Sequence, residues 1–306
     1  MILTLLDQYE KKKIVNSHGP KYPPIFIVGP PRSGTTLIYL VLTRALKLSY
    51  FCNVVDKFPE NPCLVSLIAS KLKPFIPKHS LKNNYGETLG WNAPSQGRHI
   101  WCRWFPPDQS YVSEGHLSDW QLKEMQGTIA HVEAYFGAPF INKSQGHCVR
   151  ILALRKAFPD MVLIRVHRNH LLTAQSVLLG RERVFGTTGH WFSVKPKEFE
   201  QIKNSTPIKQ VCEQIYYLEK NMDCDIGNCK NLPVFNINYE VFCKKTQEIV
   251  SGFCDFYKKQ KGVSLEQVNA VPESFEVSNS IRLNESDLNE LSHYLRSLWA
   301  GNPPEK

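Results

Sequence analysis

Nowhere does this chain of 306 residues run to the roughly eighteen consecutive apolar residues that a membrane-spanning helix needs. Its opening segment, MILTLLDQYEKKK, is too brief an apolar stretch for a secretory leader and lacks the flanks of one, so a soluble, cytoplasmic protein is expected. Blocks of five or more like charges, internal repeats and low-complexity tracts are all missing, and disorder is not indicated. The nine cysteines are scattered and form no C-x-x-C pair; Cys224 and Cys229, separated by four residues, have no matching second pair for zinc. Reduced thiols are the expected state.

The length and a hydrophobic content of 42% suffice for one large α/β domain with a buried core, expected over 23–306 behind a short lead-in at 1–22. A formal net charge of +9 points to acidic partners: nucleic acid, a membrane surface, or a polyanionic cofactor and substrate. No single element concentrates the lysines and arginines as a nucleic-acid reader does, so nucleic acid is not an expected partner.

The most informative stretch is Pro23 to Thr43, PPIFIVGPPRSGTTLIYLVLT. Ile25 to Val28 reads as a short buried strand, Gly29 to Gly34 as a tight loop, and Thr35 onward as the first turn of an apolar helix. Unpaired N–H groups at a helix N-terminus, with the positive end of its dipole, make such a turn an anion cradle. Gly29 and Gly34 let the backbone approach a ligand closely. The spacing comes near the nucleotide loop G-x-x-x-x-G-K-[ST], but Thr35 stands where the lysine belongs. The cation is Arg32, inside the turn, and two hydroxyls follow, Thr35 and Thr36. A cradle of this kind can hold a terminal phosphate without an obligatory metal.

Residues 31 to 36, Pro-Arg-Ser-Gly-Thr-Thr, resemble the loop with which sulfotransferases bind the 5′-phosphosulfate of 3′-phosphoadenosine 5′-phosphosulfate, PAPS. A second element supports the likeness. Arg168 stands just past a strand expected at Met161 to Val166, and Ser176 lies eight residues on, in a helix beginning near His170. About 12 Å of helix separates the two, so they meet only if the arginine folds back over the helix, and a phosphate is one object able to hold both. The spacing is similar to the family's 3′-phosphate site, although Asn169-His170 replaces the Asp-Pro or Asn-Pro of many members.

Residues 140 to 178 resemble the branch of that family with Gly-Pro-Pro-Arg-Ser-Gly-Thr-Thr loops, which implies a place for Lys143 at the sulfuryl centre. Tyr239-Glu240, after a strand expected at 232–238, resembles the pair whose tyrosine lies beside the adenine. Arg282 is the candidate for a late basic segment that helps hold the 3′-phosphate in relatives. Strands are further expected at 48–55 and 139–142, and helices at 63–73, 117–136, 147–158, 208–222, 241–257 and 285–299. The proline- and aromatic-rich stretch at about 74–116 reads as a lid over the acceptor, where Trp91, Trp101, Trp104 and Phe105 either wall the acceptor site or pack the loop onto the body.

The resemblance implies a P-loop-type three-layer α/β fold, with a central, mainly parallel sheet flanked by helices. It implies a PAPS-dependent, metal-free transferase acting on a hydroxyl or amine of a small-molecule, lipid or carbohydrate acceptor, and leaving 3′-phosphoadenosine 5′-phosphate. Arg32 and the N–H groups of Ser33, Gly34, Thr35 and Thr36 are then expected on the 5′-phosphate, Lys143 on the departing oxygen, and Arg168 with Ser176 on the 3′-phosphate. Many relatives place a basic histidine where this chain has Gln145, and others a glutamate where it offers Asn53 and Asp56. The general base is therefore left among His147, His99, Glu87 and Asp56. Two rivals stay open: a P-loop kinase or NTPase, which the missing lysine opposes, and a non-catalytic nucleotide-binding homologue, which Gln145 keeps open.

Overall fold

The computed structural model describes residues 8, 10–12, 14, 17–72, 79–81, 83–84 and 87–301, with Asn83, Asn84 and Glu87 by backbone alone. Strand β1 (Ile25–Val28) is buried along its whole length, as an unbroken apolar run predicts for a strand covered on both faces. A two-residue hairpin, β2 (Asn83–Asn84) with β3 (Glu87–Thr88), stands apart from the main sheet. The main sheet adds β4 (Ile141–Lys143), β5 (Val162–His167) and β6 (Val234–Asn238) in the order β4-β1-β5-β6, every pair parallel. Ile25 is in register with Ile141 on one side and Val162 on the other. Parallel strands need crossovers, and helices supply them, so the fold is a three-layer α/β sheet sandwich.

Local chemistry starts and stops the helices. The helix Asp119–Phe136 begins with a capping box between Ser118 and Gln121 and ends at left-handed Gly137. Asn169 caps His170–Phe185 by accepting from the Leu172 N–H, and Asn284 caps Glu285–Trp299 in the same way. The main core surrounds the sheet, and a second apolar cluster joins His170–Phe185, Pro207–Asn228 and Glu285–Trp299 through Val177, Ile215 and Leu291.

Three expected elements differ. The stretch 48–55 is buried but forms no strand; with Leu46 it makes three isolated bridges, Leu46 to Gln267, Ser49 to Phe140 and Cys52 to Pro94, and a helical turn follows at Asn53–Asp56. Its apolarity reflects burial, and three partners from distant parts of the chain make no continuous ladder. The helix expected at 147–158 breaks at Arg150 into a tighter turn, Gln145–Val149, and a helix, Ile151–Ala157. The helix expected at 241–257 breaks at Lys245, where the Thr246 N–H leaves the helical ladder for the Glu273 carbonyl. The expected lid includes residues 74–78, 82 and 85–86, which lie outside the described residues, as does residue 73 at the end of the expected helix 63–73.

Candidate active site

Parallel strands present all their C-terminal ends on one edge of a sheet. Here that edge carries the loop after β1, Lys143 at the end of β4, Arg168 after β5 and Tyr239 after β6. In the first loop the Ser33 N–H donates to the Pro30 carbonyl at 3.2 Å, closing a turn whose third residue, Arg32, has φ +69°. That left-handed position is one that glycine ordinarily takes. Gly34 follows at φ +92°, and a Cβ there would lie 2.1 Å from Cδ2 of Tyr239, whose ring closes over the loop. The helix Thr35–Ala45 then starts with no side-chain cap and no acidic residue in its first turn, which leaves its leading N–H groups free of carboxylate. Ser33 is fully buried, and its Oγ has no hydrogen-bond partner among the described residues.

Arg168 and Ser176 are brought to this loop and are joined through it. Arg168 Nη1 donates to the Arg32 carbonyl at 2.7 Å, and Arg32 Nε donates to Ser176 Oγ at 3.0 Å. The Arg168 guanidinium also lies over the Tyr239 ring, 4.7 Å from its centroid, and donates to the Ser278 carbonyl. The sequence gives no sign of the contact with Ser278. Gln175 fastens that late segment, donating to the Ser280 carbonyl at 2.9 Å and accepting from the Arg282 N–H at 2.7 Å. Arg282 thus reaches the neighbourhood by its backbone, while its side chain is exposed. Asn169 caps the helix that follows and donates its own N–H to Glu240 at 3.1 Å.

Lys143 is 2% exposed and donates from Nζ to Gln96 Oε1 at 3.1 Å. Burial, reinforced by the neighbouring charge of Arg32, pulls its ammonium down to about 7. Gln96 also accepts from the Gln145 N–H at 3.4 Å, and Gln145 accepts from Ser193 at 2.8 Å. Gln96 is thus a site residue that sequence reasoning missed, lying in an irregular stretch with no periodic signal.

Beyond Gln96 opens a cavity of about 1080 Å³, which Ser144, Gln145, Asp56, His99, Arg98 and Arg183 help to line. His99 is among the more exposed of these, its side chain two-thirds in solvent, with Nδ1 3.4 Å from Asp56 Oδ2. Asp56 is itself held by the His99 N–H at 2.9 Å and the Ser95 hydroxyl at 3.1 Å. Of Glu87 only the backbone is described, in β3.

His147, a candidate base from sequence, is placed elsewhere. It has no exposed surface, and it packs edge-on against Phe26 and Trp101 with centroids 5.1 and 4.8 Å away. Arg150 donates to its Nδ1 at 3.1 Å, so the proton sits on Nε2 and is given to Asn142 Oδ1 at 2.8 Å. Burial holds its imidazole well below the usual histidine range, and both nitrogens are committed. It is a neutral core histidine, which corrects the expectation. Trp101, Trp104 and Phe105 are likewise core residues, and Trp91 alone of the expected aromatic wall lines the cavity.

Among the described residues no helix is long and apolar enough to cross a membrane, and no cluster of three or more His, Cys, Asp or Glu is placed to hold a metal ion. A model of the sulfotransferase family matches residues 23–258 of this chain. Among solved structures the chain is similar to sulfotransferase STF9 from Mycobacterium avium, with 14% identity and a TM-score of 0.53 over 98% of this chain and 73% of that one. It is also similar to sulfotransferase STF1 from Mycobacterium tuberculosis H37Rv, with 13% identity and a TM-score of 0.48 over 85% and 73% of the two chains. At such identity the first likeness bears on the fold alone. No curated protein matches the chain.

Proposed function

This chain belongs to the sulfotransferase family, and from that premise we propose how its residues divide the work of moving a sulfuryl group onto an acceptor. The family implies PAPS as co-substrate, and when bound it supplies an activated sulfuryl group. The orphaned, buried Ser33 hydroxyl and the uncapped helix start fit a phosphate at the loop. We assign the 5′-phosphate to Arg32 and the N–H groups of Ser33, Gly34, Thr35 and Thr36, and the 3′-phosphate to Arg168 and Ser176. Tyr239 is assigned to the adenine.

Lys143 is assigned to the oxygen from which sulfur departs, where negative charge accumulates as the bond breaks. Near neutral pH its ammonium is only partly protonated in the empty site. An anionic nucleotide beside it restores the proton, so the charge is present when the nucleotide is. His99 is assigned as base: Asp56 holds Nδ1, and Nε2 takes the proton of the acceptor hydroxyl as its oxygen attacks sulfur. In this reaction the side-chain cations do the work for which a kinase enlists magnesium.

The observation that carries the reading is the junction of the two motifs through Arg32, bonded on one side to Arg168 and on the other to Ser176. Thermal unfolding with 3′-phosphoadenosine 5′-phosphate tests it. A rise in melting temperature that ATP with magnesium does not reproduce is expected, and the reverse preference refutes the reading.

A further inference from the structure

The acceptor side comprises two spaces. Beside the large cavity lies a hollow of about 280 Å³, lined by Val54, Val65, Ile68, Ala69, Leu72 and Trp91. Val54 and Trp91 line both, so the hollow adjoins the cavity that Gln96 and Ser144 border next to Lys143. The two spaces have opposite chemistry. All six side chains of the hollow are apolar apart from the one indole N–H, whereas Asp56, Arg98, His99 and Arg183 line the cavity. Ile68, Leu72 and Trp91 stand side by side with 52%, 45% and 42% of their surface exposed. A contiguous apolar patch left in water at the margin of a polar site is the signature of a binding groove.

Resting on the sulfotransferase reading above, we propose that the acceptor is an amphiphilic alcohol, with its hydroxyl-bearing head in the cavity beside His99 and an alkyl chain in the hollow between the helix Pro62–Leu72 and Trp91. The volume suits a chain of methylenes and cannot receive an α-helix about 10 Å across. A small polar alcohol leaves these apolar side chains in water, while an alkyl chain removes them from it at about 25 cal/mol per Å². Continuity with the cavity fixes which end enters where. The hydroxyl lies toward Gln96 and Lys143, and the chain trails outward over Val54.

The test is calorimetric titration of butanol, hexanol, octanol and decanol into the protein loaded with 3′-phosphoadenosine 5′-phosphate. Affinity is expected to rise about two- to fourfold per added methylene and to level off once the hollow is full. Ile68→Asp places a charge on a half-exposed position and is expected to weaken octanol about tenfold or more while leaving nucleotide affinity within about twofold. Ile68→Phe fills the hollow instead, and is expected to bring the plateau to a shorter alcohol. Binding that does not depend on chain length, or octanol affinity undiminished in Ile68→Asp, overturns the proposal. If the nucleotide still binds in that case, the sulfotransferase reading survives and only the amphiphile is lost. If the nucleotide fails to bind at all, both fall.

Discussion

At the scale of single residues, the site departs from what each side chain prefers. Arg32 holds φ +69°, a left-handed backbone that costs an ordinary residue about 1–2 kcal/mol and glycine almost nothing. Comparing Arg32→Gly with Arg32→Ala cancels the lost guanidinium. In urea denaturation the glycine variant is expected to be the more stable by about 1 kcal/mol, with nucleotide binding impaired in both; equal stabilities mean the turn is unstrained. Lys143 departs in charge. Its folded value of about 7 lies below the unfolded 10.5, so between those limits the unfolded chain binds more protons and stability rises with pH. Lys143→Met removes the buried charge. It is expected to stabilise the nucleotide-free protein by a few kcal/mol at neutral pH and below, with the gain fading toward pH 10, while turnover collapses. A gain that grows with pH has the wrong sign and rejects the buried-ammonium account.

At the scale of elements, everything rests on four strands ending at one edge. The loop after β1 approaches the helix of Tyr239 so closely that only a residue without Cβ fits at Gly34. Gly34→Ala therefore combines a steric clash with a left-handed backbone, and is expected to destabilise by more than about 2 kcal/mol and to weaken nucleotide binding by more than tenfold. Adding Tyr239→Ala should recover the part due to the clash and leave the backbone part. No recovery at all in denaturant titrations means that the ring is not what excludes the methyl. These elements were the legible ones. A buried strand, a glycine turn and an apolar helix are local patterns, and the strand, turn and helix from Ile25 onward, like the strand near 161–166 and the helix start near His170, read correctly because each contains its own cause. Stretch 48–55 misled because an apolar run records burial and says nothing of its partners. His147 misled for a related reason: a histidine near a strand end looks the same in sequence whether it faces a cleft or, as here, Phe26 and Trp101. Gln96 was illegible, since no pattern marks an amide that reaches a lysine from a different part of the chain.

At the scale of the whole molecule, Lys143 stands between the loop after β1, where it meets the field of Arg32, and Gln96, which helps to line the cavity. The proposed phosphate site draws on residues from Gly29 to Ser278, and a formal net charge of +9 favours the approach of the proposed polyanionic nucleotide. The central claim is that one nucleotide is gripped at both of its phosphates. The most direct measurement is calorimetric binding of 3′-phosphoadenosine 5′-phosphate and of adenosine 5′-phosphate to the wild-type protein and to Arg168→Ala. Expected is a bisphosphate preference of about tenfold or more in the wild type that largely disappears in the variant, with adenosine 5′-phosphate bound almost equally by both. A preference that survives Arg168→Ala intact, or loss of both ligands by the same factor, contradicts the two-phosphate grip.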